Sequence, residues 1–221
     1  NLPYPWLDRP VPVRTIAGAI PVPAGFARSP ATPGSFAAWL RGLPLAPTDH
    51  PIHLWDGRTR ADQSGRHAVV QMDVMRYQEC ADAWIRLRAE YLWSINRQDR
   101  IAFRLTDHSL STWARWAAGE RPRVKLPRTT WVKATHPDAS RSSFRAFLHH
   151  VMTYAGTLSL SRDLPTQSLA KLAPGDLLVQ GGSPGHAVVI LDLATHPDGR
   201  RLVLLGQSYM PAQEFHVLKN L

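Results

Sequence analysis

The residues of this sequence that could perform covalent chemistry are a cysteine and a histidine. Cys80 is the only cysteine of the chain, and His186 follows a Gly/Pro-rich turn and opens the apolar stretch 187–191. A thiol hydrolase needs a nucleophilic sulfur, an imidazole that accepts and returns its proton, and a polar group that orients the imidazole. The chain can therefore be a cysteine hydrolase only if Cys80 and His186 meet in space.

Gln207 is the candidate for the orienting group, because side chains alternate along a strand. Asp198-Gly199 is a hairpin signal between two apolar stretches, and an unbulged hairpin around it places Gln207 opposite Ile190 or Val188. In either register Gln207 lies on the same face as His186. Its amide carbonyl would accept the imidazole N–H and select the tautomer.

Two readings of Cys80 stay open, because both fit a helix predicted over 74–96. Cys80 shares an apolar stripe with Tyr77 and Trp84, as expected for a small buried core residue. If the helix begins as late as Tyr77–Gln78, the thiol lies in its first turn, where unpaired N–H groups and the macrodipole stabilise a thiolate. Gln78 is then a candidate oxyanion or substrate contact.

The elements that must position these residues predict an α+β domain, with an antiparallel sheet packed on helices. Residues 1–34 form a proline-rich arm with short extended pieces at Val11–Ile16 and Gly18–Val22, and residues 35–221 form one domain. We expect Asp73 to cap the helix over 74–96 and Arg86 to lie on a face of it other than the apolar stripe. The remaining predictions concern 97–165, which holds helices at Ser109–Ala118 and Ser140–Thr157, a surface loop at Glu120–Pro127 and a linker at Leu158–Leu164.

Composition excludes several classes of function. The net charge of +9 suits an acidic partner, but no run of five Lys/Arg and no basic patch interleaved with aromatics occurs, so we expect no nucleic-acid binding. No apolar run reaches about 18 residues, so we expect no transmembrane segment. A single cysteine excludes an internal disulfide. We expect no cofactor and no metal site, since none of the considered histidines shows zinc-ligand spacing; they are His53, His67, His149, His150 and His216.

The predicted C-terminal strands resemble part of a known protein family. The stretch 172–178, Leu-Ala-Pro-Gly-Asp-Leu-Leu, followed by Gly185-His186-Ala187-Val188-Val189-Ile190, resembles the second half of NlpC-type cell-wall peptidases, a papain-like superfamily. The resemblance implies a papain-like fold with Cys80 as nucleophile, His186 as base and Gln207 as third residue. The sequence departs from that family at Glu79-Cys80-Ala81, where Asp-Cys-Ser/Gly is usual. It also has a longer separation between Cys80 and His186, so that 97–165 would be a helical insertion.

The chain is also similar to a bacterial family of unknown function whose members are often exported lipoproteins. The similarity rests on 35–45 and on 78–92. Together the two resemblances imply a thiol amidase or peptidase acting on amide bonds of the cell envelope, with peptidoglycan peptides or another acidic envelope polymer as partner. The alternative is a non-catalytic envelope-binding or scaffold protein on the same fold. Either function implies a periplasmic or outer-membrane-anchored protein, although no export signal is visible in this sequence.

Overall fold

The computed structural model describes residues 3–7, 14–125 and 128–220. Six α-helices and ten strands follow one another along these residues, with short 3₁₀ turns at Gln98–Arg100 and Leu169–Lys171. The helices are α1 Ile16–Ala19, α2 Phe36–Arg41, α3 Cys80–Ser94, α4 Trp113–Ala117, α5 Arg141–Tyr154 and α6 Thr157–Asp163. The strands are β1 Ala27–Arg28, β2 Arg66–Val69, β3 Ala102–Arg104, β4 Leu110–Thr112, β5 Glu120–Lys125, β6 Arg128–Lys133, β7 Leu177–Gln180, β8 His186–Thr195, β9 Arg201–Gln207 and β10 His216–Leu218.

The main sheet is antiparallel and is built around the long strand β8. Strands β9, β10 and β2 follow it on one side, while β7 pairs with the start of β8 and β1 with its end on the other side. Helix α3 packs against β8, and the apolar side chains of the two elements share one buried cluster. The prediction of an α+β domain with an antiparallel sheet on helices is confirmed at this level. No helix within the described ranges is long and apolar enough to cross a bilayer.

The segment 97–165 is richer in structure than the sequence predicted. The predicted surface loop Glu120–Pro127 is wrong as far as residue 125, because β5 and β6 form a hairpin in which Pro122 opposes Trp131; Pro127 lies outside the described residues. Proline is tolerated there because each strand of an isolated hairpin has a free edge. The predicted linker Leu158–Leu164 is also wrong, since α6 occupies most of it and buries Leu160 in the core.

The N-terminal arm is partly helical rather than only extended. The Thr15 side chain accepts a hydrogen bond from the Gly18 N–H and starts the single turn of α1, so the predicted extended piece at Gly18–Val22 is wrong at its beginning. Residues 11–13 of the predicted piece Val11–Ile16 fall outside the described residues, and its last residue, Ile16, begins α1. Further along, the buried carboxylate of Asp192 on β8 accepts from Arg28 Nε at 2.5 Å and from Arg41 Nε at 2.6 Å. These ion pairs fasten the arm and α2 to the central strand.

Arg86, which was predicted to lie off the apolar stripe of the helix, lies at the centre of a buried polar network. The side chain is 0% exposed, its Nη2 lies 2.6 Å from Asp73 Oδ1, and its Nη1 donates to Gln78 Oε1 at 2.7 Å. Glu90, one helical turn along α3, is also 0% exposed and lies 3.8 Å from Arg86 Nε. Asp73 was predicted as the helix N-cap; it is instead the partner of Arg86 and of Arg145. The network holds the chain before Cys80 against the body of α3.

His150 on α5 gives a first testable prediction, on the pH dependence of stability. The ring stacks on Trp116 at 5.6 Å, and Nε2 is buried without a hydrogen-bond partner among the described residues. Burial lowers the pKa of His150 to about 4, against the weaker opposing effect of Asp107. Between that pKa and the unfolded value of about 6.5 the unfolded chain binds the extra proton, so stability falls as pH drops through this window.

The free energy of unfolding should fall by at most about 3 kcal/mol, the equivalent of the difference between the folded and unfolded pKa values of His150. His150→Phe should remove this titration and make the dependence of the unfolding free energy on pH between about 4 and 6.5 less steep, measured by urea denaturation. Part of the slope should remain, because burial also lowers the pKa of His216 to about 4. His136→Ala, at an exposed histidine, is the matched control and should leave the slope unchanged. An unaltered slope in His150→Phe would contradict the assignment.

Candidate functional site

Cys80 is the first residue of α3. Tight turns precede it, since the Gln78 N–H donates to the Met75 carbonyl and the Glu79 N–H to the Tyr77 carbonyl. The Glu79 N–H also donates to Asp82 Oδ2 at 3.1 Å, which ties the N-cap residue to the first turn. The helix thus begins even later than Tyr77–Gln78, the latest start considered, and the thiol lies in the first turn, where the helix dipole favours negative charge.

The thiol of Cys80 is nevertheless protonated at rest near neutral pH. The residue is 5% exposed, and burial raises the thiol pKa above its ordinary value. The backbone amides of Ala187 and Ala81 act in the opposite direction, while the carboxyl groups of Asp82 and Glu79 add to the increase. A nucleophilic Cys80 would therefore need a base to remove its proton in the course of the reaction.

His186 stands at the first position of β8, at the mouth of a closely packed turn. A Cβ atom on the preceding Gly185 would collide with Thr157 Oγ1 and with the carbonyl oxygens of Gln180 and Gly182, so only glycine fits there. The His186 ring is half-buried and contacts Tyr209 edge to face at 5.2 Å. The turn and the aromatic ring together restrict where the imidazole can point.

Gln207 hydrogen-bonds the His186 ring, with Oε1 2.9 Å from Nε2. Because an amide oxygen only accepts, this contact places the ring proton on Nε2 and leaves Nδ1 as the free acceptor. An imidazole in this tautomer can take a proton at Nδ1 while Gln207 fixes its orientation. The predicted placement of Gln207 on the face of His186 is confirmed.

The hairpin brings Gln207 to the face of His186 through a register shift that the sequence did not predict. Near the turn, Thr195 opposes Arg201, a register in which Gln207 would face away from His186. The register shifts between Ile190 and Asp192, so that Ile190 opposes Leu205 and Gln207 falls next to His186. The predicted unbulged hairpin is thus wrong, and a β-bulge at Leu191 returns the side chain to the expected face.

The packing of α3 on β8 brings Cys80 and His186 into the same region. The amide that approaches the Cys80 thiol belongs to Ala187, the residue directly after His186. Across the described parts of the chain, no hydrogen bond links the thiol to the imidazole, whereas the imidazole is bonded to Gln207. The arrangement provides a buried thiol, an oriented imidazole with one free nitrogen, and a helix N-terminus.

Gln78 lies beneath this region and has no exposed surface. Its Oε1 accepts from Arg86, its backbone carbonyl accepts from Ser208 Oγ at 2.9 Å, and its Nε2 is buried without a partner in the described structure. These contacts connect the turn before Cys80 with the segment after Gln207. A substrate contact through Gln78 would require the side chain to leave this network, so its oxyanion role stays a prediction.

A second group of chemically active side chains was missed by the sequence reasoning. His53, considered as a ligand because of its residue type, lies beside His50 and Glu214, which were not. The pair His50-x-x-His53 is a weak local signal, and Glu214 is too distant in sequence to have been linked to it. The remaining histidines considered earlier belong to no such three-residue group among the residues that the structure describes.

Comparison with known proteins identifies a family but no activity. None of the curated proteins matches the chain, and none of the solved structures does. Residues 16–221 match the family described as domain of unknown function (4846), a match that begins at the first residue of α1 and includes Cys80, His186 and Gln207. The chain belongs to this family of unknown function.

Proposed function

We propose that the protein is a thiol hydrolase in which Cys80 is the nucleophile, His186 the general base and acid, and Gln207 the residue that orients His186. The observation that carries the proposal is the His186–Gln207 hydrogen bond, which leaves Nδ1 free beside the strand residue whose amide approaches Cys80. We also propose that the chain has the papain-like fold of the NlpC-type peptidases, which its sequence resembles.

The proposed reaction proceeds in two stages through an acyl-enzyme. The proton of the Cys80 thiol moves to His186 Nδ1 as the sulfur attacks the carbonyl carbon of an amide. The imidazolium then returns that proton to the departing amine, and the acyl group remains on sulfur as a thioester. Water, deprotonated by His186, hydrolyses the thioester and regenerates the thiol. The raised thiol pKa favours this base-assisted attack over a preformed thiolate.

Aromatic and basic side chains surround the proposed site and suit an anionic substrate. Tyr77, Trp55 and Tyr209 are 45%, 41% and 39% exposed. The Arg76 guanidinium lies 5.1 Å from the Trp55 ring and 5.6 Å from the Tyr77 ring, and Arg60 lies 5.6 Å from the Tyr209 ring. Guanidinium groups on an apolar rim would attract a peptide that bears carboxylates. We accordingly propose peptidoglycan stem peptides, in the cell envelope, as the substrate class.

Labelling of Cys80 by iodoacetamide at neutral pH tests the proposal. Cys80 of the native protein should be alkylated, and His186→Ala should slow the alkylation, because the imidazole assists loss of the thiol proton. His136→Ala is the matched control and should not change the rate. If Cys80 were modified only after denaturation, or equally fast without His186, the thiol would have no imidazole partner and the proposal would fail.

A second candidate function is a non-catalytic envelope-binding or scaffold protein. The burial of Cys80 and the raised pKa of its thiol favour it, because both are ordinary for a core cysteine. In that case the exposed rim of Trp55, Tyr77 and Tyr209 would bind the partner directly. Cosedimentation with peptidoglycan that Cys80→Ala leaves intact and Trp55→Ala abolishes, without any hydrolysis, would identify this function.

A further inference from the structure

Two histidines and a glutamate converge at the segment between β9 and β10. His50 Nε2 lies 3.1 Å from each carboxylate oxygen of Glu214, and His53 Nδ1 lies 3.2 Å from Oε2 of the same group. The candidate ligand atoms of the three residues all lie within 4.8 Å of one another. Their separations can therefore be compared with those of ligands around a metal ion.

The two separations between a histidine nitrogen and a Glu214 oxygen match those around zinc. Ligands held at 2.0–2.1 Å in a tetrahedron lie about 3.3 Å apart, close to the 3.1 and 3.2 Å found here. Two imidazoles and one carboxylate form a typical set for zinc sites that keep an open position. The same set is poorly suited to calcium or magnesium, which prefer oxygen ligands.

The chain holds these ligands in place before any ion arrives. The His53 N–H donates to Glu214 Oε2 at 2.8 Å, and the Glu214 N–H donates to the His53 carbonyl at 2.9 Å. The Gln63 side chain bonds the backbone of Ile52, and Arg66 Nη1 donates to the His50 carbonyl at 2.6 Å. Little conformational entropy would remain to be lost on binding.

The side chains of His50, His53 and Glu214 are also accessible from solvent, and the carboxylate of Glu214 suits a cation. The side chains of His50, His53 and Glu214 are 29%, 31% and 16% exposed, which leaves one side open to water. Two guanidinium groups of neighbouring residues are directed elsewhere, that of Arg66 to the His50 backbone carbonyl and that of Arg60 towards the Tyr209 ring. We propose that His50, His53 and Glu214 form a zinc-binding site with one coordination position open to solvent.

Zinc titration of the full chain tests this site. After treatment with a chelator, the protein should bind one Zn²⁺ per chain in competition with a chromophoric chelator. His50→Ala, His53→Ala and Glu214→Gln should each weaken the affinity by at least about tenfold, because each removes one of the three protein ligands. His136→Ala is the control and should bind as tightly as the unaltered protein.

One further variant and one further measurement test which residues bind zinc. Cys80→Ser should still bind zinc, which excludes the thiol as the ligand, and Zn²⁺ should raise the Tm of the unaltered chain but not that of folded His50→Ala. Retained affinity in all three ligand variants, or no binding by the unaltered chain at micromolar Zn²⁺, would overturn the proposal. The imidazoles and carboxylate would then be joined only by hydrogen bonds.

Discussion

Replacement of Cys80 by alanine should reduce hydrolysis of a susceptible amide or activated ester by at least about a thousandfold, because no other residue could form the thioester. His186→Ala should reduce it by about a hundredfold to ten-thousandfold, the usual contribution of a positioned general base. Release of new amino groups from peptidoglycan stem peptides, and of nitrophenolate from activated esters, measures both effects. His136→Ala serves as the control and should retain full activity.

Gln207 is expected to act through His186, so its variants need a different measurement. Gln207→Ala frees the ring to rotate and should lower kcat by about tenfold to a hundredfold, the range typical of groups that orient another residue. Gln207→Glu keeps an acceptor at Nε2 but adds a charge that favours the imidazolium, so the pH–rate profile should shift to higher pH. Full activity in Cys80→Ala, or an unchanged profile in Gln207→Glu, would contradict the assigned roles.

Replacement of Arg86 by methionine should lower the free energy of unfolding by about 3–5 kcal/mol, the range for breaking a buried ion pair from one side. The side chain has no exposed surface, and its removal leaves Glu90, also fully buried, with Arg141 alone at 3.0 Å. It also removes the donor to Gln78 Oε1. Urea denaturation of the purified variant measures the change.

The comparison for this prediction is an exposed pair of the same type. Arg115 and Glu120 lie 2.7 Å apart with the arginine 44% exposed, so Arg115→Met should cost less than about 1 kcal/mol. The double change Arg86→Met with Glu90→Leu should recover part of the loss, because it removes the carboxylate left behind. Equal stability of Arg86→Met and Arg115→Met would show that the buried network contributes nothing.

The sequence predicted most of the C-terminal sheet and the partnership of His186 with Gln207. Strands β7, β8 and β9 are marked by apolar runs between Gly/Pro turns, and these signals are local. The prediction failed at β5, where the local composition is atypical of a strand. Pro122 and the basic residues around it are typical of a loop, and only the pairing with β6, in which Pro122 opposes Trp131, shows that the segment is extended.

The start of α3 shows why side-chain patterns alone misplace a boundary. The stripe that included Tyr77 and Cys80 suggested a helix from 74 onwards, but Tyr77 is exposed and the helix begins at Cys80. The deciding interactions are the buried Arg86 network and the Glu79–Asp82 bond, and a charged side chain at an interior position has no signature in hydrophobic periodicity. Glu214 was missed for a different reason, because its spatial neighbours His50 and His53 are remote in sequence.

The bulge at Leu191 shows that the strands, rather than the turn, set the partnership of His186 with Gln207. Counted from the Thr195–Arg201 pair, the one extra residue of β8 moves Gln207 from the position opposite Val189 to the position opposite Val188, on the face of His186. Residues added to or removed from the turn at 196–200 leave this count unchanged as long as Thr195 still pairs with Arg201. A search pattern with a fixed gap between the histidine and its amide partner would miss chains that kept the site while the turn changed length.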